Sequence, residues 1–182
     1  PLTRTAPGSL LLILSRWIAR PAEPVLMLAV LKHECVALGR EPDALRAIVS
    51  KLERATLRDP PRSPSLPDLA RRLATLETPQ PDSAALIDDL DKALYAAMPA
   101  FVDGMIDGGA AAQSIARLAE TLCATPTVAG ARIWSGKAGA MAAQFIDQLS
   151  QLSASMGLME ADAFPDFAEA VMQRMIAAPD AP

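Results

Sequence analysis

Residues 134–152, Trp-Ser-Gly-Lys-Ala-Gly-Ala-Met-Ala-Ala-Gln-Phe-Ile-Asp-Gln-Leu-Ser-Gln-Leu, decide the fold class. Trp134, Ala138, Met141, Phe145, Ile146, Leu149 and Leu152 recur at steps of three and four, the spacing that gathers side chains on one face of an α-helix. Gly157 predicts its end. An apolar stripe of this length needs other helices to cover it, and the composition supplies them: 36 Ala and 24 Leu stand against 16 Val plus Ile. Apolar residues at 51% with 21% charged residues exclude intrinsic disorder, and 4% aromatics argue against a sheet-rich fold. The 182 residues suffice for one large domain or two small ones. The expected class is all-α, an irregular domain of about eight helices.

Working outward, Ser9 is read as the N-cap of a first helix carrying Leu10, Leu11, Leu14, Trp17 and Ile18. Pro21 and Pro24 restart the chain, and Val25 to Leu31 form a second helix reaching Lys32 and His33. Glu41-Pro42-Asp43 places a proline and acids at the start of a third, with Leu45, Ile48, Val49 and Leu52 on one face. Residues 58–67 hold four prolines and read as a loop. Pro67-Asp68 opens a fourth helix through Leu69, Leu73 and Leu76.

Ser83 is the expected cap of a fifth helix with the stripe Leu86, Leu90, Leu94, Ala97 and Phe101, kinked or restarted at Pro99. Gly104, Gly108 and Gly109 separate it from a sixth carrying Ile115, Ala119 and Leu122. A last helix, Pro165 to Ile176, presents Phe167, Val171, Met172 and Met175. No alternating strand pattern and no repeat stands out. The helices read as a single domain over 1–182 or as two sub-bundles, 1–77 basic and 83–178 acidic, joined near 78–82.

The charge is uneven. Residues 1–72 carry 12 bases and 7 acids (+5), residues 73–182 carry 5 bases and 14 acids (−9), and the sum is the net −4. One end facing an anionic partner and two solvated faces of opposite sign both fit this pattern. Lys51, Arg54 and Arg58 follow i, i+3, i+7 on the third helix, with Arg46 before them and Arg62, Arg71 and Arg72 after. Arg46, Lys51, Arg54, Arg58, Arg71 and Arg72 are therefore the candidate contacts for nucleic acid or a partner. No aromatic residue lies among them to stack bases, which equally fits a solvated stripe.

Other chemistries find little support. Cys35 and Cys123 are too few for a four-cysteine metal site and read as separate small core residues; His33 is the lone histidine. Gly130 to Ala138 imitates a phosphate-binding loop, but five residues part its glycines and Ala138 follows Lys137. Asp88, Asp89 and Asp91 lack the glycine and terminal glutamate of a calcium loop and read as a solvated face. Trp17 and Trp134 read as core anchors. The apolar runs Leu10–Leu14 and Val25–Leu31 are too short to cross a bilayer. The expectation is a cytoplasmic protein with no cofactor, metal, small-molecule ligand or membrane contact, and no catalytic residues.

The order of segments carries a resemblance. Pro1-Leu2-Thr3-Arg4-Thr5-Ala6-Pro7-Gly8, the Leu-rich helix, Pro24-Val25-Leu26-Met27-Leu28-Ala29-Val30-Leu31-Lys32-His33 and Ala37-Leu38-Gly39 resemble a stretch of the AddB family. Trp134-Ser135-Gly136-Lys137-Ala138-Gly139 and Phe164-Pro165-Asp166-Phe167 resemble its next landmarks, in the same order. AddB is the helicase-like and nuclease subunit of the AddAB complex that processes DNA double-strand breaks; the likeness is to the alphaproteobacterial form described as an inactivated superfamily I helicase. Glu34 stands where the family has proline and Lys137 where it has an acid, and residues from about 58 to 110 carry little that matches.

The resemblance implies a helical insertion within a superfamily I helicase-like protein, outside its nucleotide-binding elements and its iron-sulfur nuclease, with an AddA-type subunit and DNA as partners. With Pro1 at the first position, it leads to the expectation of an internal domain fragment rather than a whole protein. The expected role is non-catalytic: shaping a DNA channel or a subunit contact. The alternative is a freestanding helical adaptor for another protein, using a Met-rich surface of Met156, Met159, Met172 and Met175.

Overall fold

Helix α7 (Gly136–Met156) is the longest element of the computed structural model, which describes residues 2–57 and 65–175. The other helices are α1 (Ala6–Ala19), α2 (Pro24–Leu31), α3 (Pro42–Leu52), α4 (Leu66–Ala74), α5 (Pro81–Ala97), α6 (Gly108–Cys123) and α8 (Phe164–Arg174). The fold is mostly all-α, with eight α-helices among the described residues. Helix α6 lies at its centre and packs against α1, α5 and α7; α1 also meets α2, α7 and α8, while α3 and α4 pack on α5.

Small residues make that centre. Ala111, Ala112, Ile115, Leu118, Ala119 and Leu122 of α6 are fully buried, and the largest buried side chains, Trp17, Phe145 and Phe164, come from α1, α7 and α8. A β-carbon on Gly130 would lie 1.6 Å from the Glu120 carbonyl oxygen, so the 3₁₀ turn Gly130–Trp134 rests directly on the α6 backbone. Trp134 Nε1 then donates to Glu120 Oε1 at 2.6 Å, and Trp134 is half-buried in this turn rather than in α7. Trp17 is the fully buried anchor of the two.

The helix starts differ from the sequence reading where a neighbouring group caps better. Thr5, not Ser9, caps α1 by accepting from the Gly8 N–H at 3.2 Å. Ser65 caps α4 in a reciprocal box with Asp68, so Leu66 and Pro67 are already helical. The proline-rich positions 58–64 and Ile176 lie outside the described residues. Ser83 sits within the first turn of α5 and donates to Gln80 Oε1 at 3.2 Å.

A small sheet replaces the predicted end of the fifth helix. Met98, ahead of Pro99, adopts φ −56° and ψ 130°, because a residue before proline is driven out of the helical region. Phe101–Val102 (β1) then pairs antiparallel with Met105–Asp107 (β2), and Leu158–Glu160 (β3) pairs antiparallel with β2. Asp103 and Gly104 turn the hairpin with φ of 51° and 77°, the left-handed pair that matches strand twist. Gly108 and Gly109 do not separate helices. They form the first turn of α6, capped by the Asp107 side chain accepting from the Ala110 N–H at 2.7 Å.

Candidate functional site

Helix α3 buries Leu45, Val49 and Leu52 and turns its charged residues to solvent. After Leu52 the backbone widens into a π turn, Glu53–Leu57, in which buried Thr56 Oγ1 donates to the Leu52 carbonyl at 2.8 Å. The turn touches α4, which brings the two basic segments onto neighbouring elements. Lys32, just past the end of α2, anchors it by an ion pair with Glu53 at 2.7 Å.

Of the six candidate cations, two are occupied locally: Arg46 pairs with Asp43 at 2.5 Å, and Arg71 with Asp68. Arg72 is half-buried and engaged. Arg58 lies outside the described residues. Lys51 and Arg54 remain, both exposed and without an ion pair or hydrogen bond among the described residues. The corner formed by the end of α3 and the π turn thus offers two uncompensated cations.

Much of the charge imbalance read from the sequence is answered inside the molecule. Arg16 pairs with Glu169 at 2.9 Å, Arg20 with Asp162 at 2.9 Å, and Arg40 with Asp89 at 2.6 Å. Each joins a cation from the basic half to a carboxylate from the acidic half. Asp88 meets Lys92 at 2.6 Å, whose hydrogen bond holds the Lys92 ammonium above its ordinary range. Asp88 and Asp89, two of the three clustered aspartates, are therefore already paired.

His33 has a partner that its sequence surroundings do not show. Its Nε2 lies 2.9 Å from Ser9 Oγ, and its Nδ1 accepts the Cys35 N–H at 3.2 Å. With Nδ1 accepting, the neutral ring carries its proton on Nε2 and donates to Ser9, which in turn donates to the Ala6 carbonyl at 3.1 Å. A serine nucleophile needs the opposite polarity, an imidazole that accepts the hydroxyl proton. This pair is a strut between α1 and the loop after α2. Burial holds the His33 imidazolium below its ordinary range, opposed weakly by Glu34.

That loop leads to a cavity of about 310 Å³ lined by Pro7, Glu34, Cys35, Cys123, Arg132 and Ile133, among others. The two cysteines, read from the sequence as separate core residues, share it; both are free and half-buried. Burial pushes the Cys123 thiol up to about 12, with Cys35 adding to the shift, and burial also raises Cys35. The four methionines do not form one surface: Met172 is in the core, Met159 and Met175 are half-buried, and Met156 alone of the four is exposed.

Among the described residues no helix is long and apolar enough to cross a membrane, and no three His, Cys, Asp or Glu side chains gather to hold a metal. No family model, curated protein or solved structure matches the chain.

Proposed function

We propose that the chain is a non-catalytic helical domain of the AddB type, within a helicase-nuclease that repairs DNA double-strand breaks, with an AddA-type subunit and DNA as its partners. The order of the sequence landmarks supports the family. The observation that carries the DNA contact is the pair Lys51 and Arg54, exposed and uncompensated where Arg16, Arg20 and Arg40 are not. Cations without internal partners are free to displace counterions from phosphates, and the surrounding helices hold them at a fixed corner.

The test is a titration of the chain against a blunt-ended DNA duplex over a range of salt. Replacing Lys51 and Arg54 by glutamate is expected to weaken binding and to flatten the dependence of log affinity on log salt by about 2. Unchanged affinity and slope would remove DNA from the role and leave the subunit contact.

The adaptor reading is favoured by a different observation. Phe101, Val102, Leu152, Met156 and Leu158 are large, apolar and exposed, and they come from the sheet and the adjoining end of α7. An adaptor would present this surface rather than the last helix. The reading frame encoding the chain separates the two: a long frame on both sides fits a helicase-like subunit, and a short one with its own start fits an adaptor.

A further inference from the structure

Cys35 and Cys123 stand 88 positions apart, yet they line one cavity with Glu34, Thr125, Arg132 and Ser135. We propose that this cavity is a binding site for a soft monovalent cation of the copper(I) class, held between the two sulfurs.

The backbone fixes the two walls. The Ala37 and Leu38 N–H groups both donate to the Leu122 carbonyl at 2.8 Å, and the Gly39 N–H donates to the Ala124 carbonyl at 2.7 Å. The segment carrying Cys35 is therefore clamped along the end of α6 that carries Cys123, and both cysteines line a cavity that already exists. Preformed walls spare a bound ion the cost of ordering its ligands.

The ligand inventory selects the ion. A structural zinc site takes four ligands, whereas no group of three His, Cys, Asp or Glu gathers among the described residues. His33 cannot join, because both of its ring nitrogens are engaged. Thiolates prefer soft metals, and copper(I) is satisfied by two sulfurs in a line, where harder divalent ions are not.

Binding replaces two S–H protons with two S–Cu bonds, releases both protons to solvent, and moves no electrons. The bis-thiolate complex carries one negative charge. Arg132 and Glu34 both line the cavity, and Arg132 has no ion pair among the described residues, which leaves a cation available to offset that charge.

The test is an anaerobic titration of the fully reduced chain with copper(I), bicinchoninate being the competing chelator, after the two free thiols have been counted. One copper per chain is expected. Cys35→Ser and Cys123→Ser should each weaken binding by more than about 100-fold, and Arg132→Gln by about 10-fold with the stoichiometry kept. Copper loaded onto the unmutated chain should also shield both thiols together from alkylation, a readout that does not depend on a variant folding. Single-cysteine variants that bind as tightly as the parent, protection of one thiol alone, or no uptake by a chain with both thiols free would each overturn the proposal.

Discussion

Helix α6 and helix α3 meet the rest of the molecule in different ways. On α6, Gly108 faces Ser153 so closely that a β-carbon would lie 2.6 Å from the Ser153 side chain, and Ala111, Ala112, Ile115, Leu118, Ala119 and Leu122 leave no exposed surface. On α3, Leu45, Val49 and Leu52 face inward, and the remaining positions are exposed or half-buried. Small residues in the first case let backbones touch, so position is fixed by contact and tolerates little change. In the second, one buried stripe suffices to hold the helix, which frees the outer face for charge.

The sharpest way to break this contrast is Gly130→Ala. The new methyl would press on the Glu120 carbonyl, and two backbones would have to part; a loss of about 3 kcal/mol or more is expected in denaturant unfolding. A loss below 1 kcal/mol would mean that the α6 seam is looser than described. Next in size is Ser65→Ala, which removes the α4 cap and should cost about 1 kcal/mol. Hydrogen bonds from the Ser65 hydroxyl and N–H, aided by Arg71, hold the Asp68 carboxyl below its ordinary range. A depressed carboxylate contributes stability above its unfolded value and loses it as pH falls through the folded one. The variant should therefore also flatten the acid limb of the stability curve.

A smaller effect is expected at His33, where the strut ties α1 to the loop after α2. Its folded value lies below the unfolded one, near 6.5, so the unfolded chain takes up the proton first. Stability should be level above about pH 6.5 and decline as pH falls below it toward the folded value, levelling off beneath. His33→Asn should remove that decline. A stability that instead rises on acidification through this window contradicts the Nδ1-accepting tautomer. The smallest effect belongs to the corner of α3 and the π turn: Lys51→Glu with Arg54→Glu should change stability by no more than about 0.5 kcal/mol, because neither side chain has a partner to lose.

The helices were legible because a stripe with a helical period survives without knowledge of what covers it: α3 begins at Pro42 and α7 stops at Met156, capped by Gly157, as the residues themselves require. The sheet was less so. Asp103-Gly104 is a hairpin signal, yet Phe101 also continues the Leu86–Ala97 stripe, and the proline restriction at Met98 decides between them. Leu158–Glu160 is too short to show any alternation. The candidate corner was half legible. The cations could be listed from the sequence, and two of them meet carboxylates only three positions away, Asp43 for Arg46 and Asp68 for Arg71; that Lys51 and Arg54 meet none is visible only in the folded chain. The cysteine cavity left no trace in the sequence, since nothing in the spacing of Cys35 and Cys123 brings them together.

The three pairs of Arg16, Arg20 and Arg40 show why a charge count by halves misleads: opposite charges concentrated in two parts of a chain can be answering each other. Those pairs are partly exposed and, screened by solvent, add little to stability. Their importance is that they remove three cations from the surface available to a partner. What remains at the α3 corner is small in number and fixed in place, and it carries the proposed contact with DNA.

The most direct measurement is site-specific photo-crosslinking to a labelled blunt-ended duplex, with the photoreactive residue placed at position 54 in one protein and at position 20 in another. Adducts that form at position 54, weaken as salt rises, and are absent at position 20 are the predicted result. Adducts at position 20 alone, or at both positions equally, would contradict the assignment of the DNA contact to the uncompensated corner.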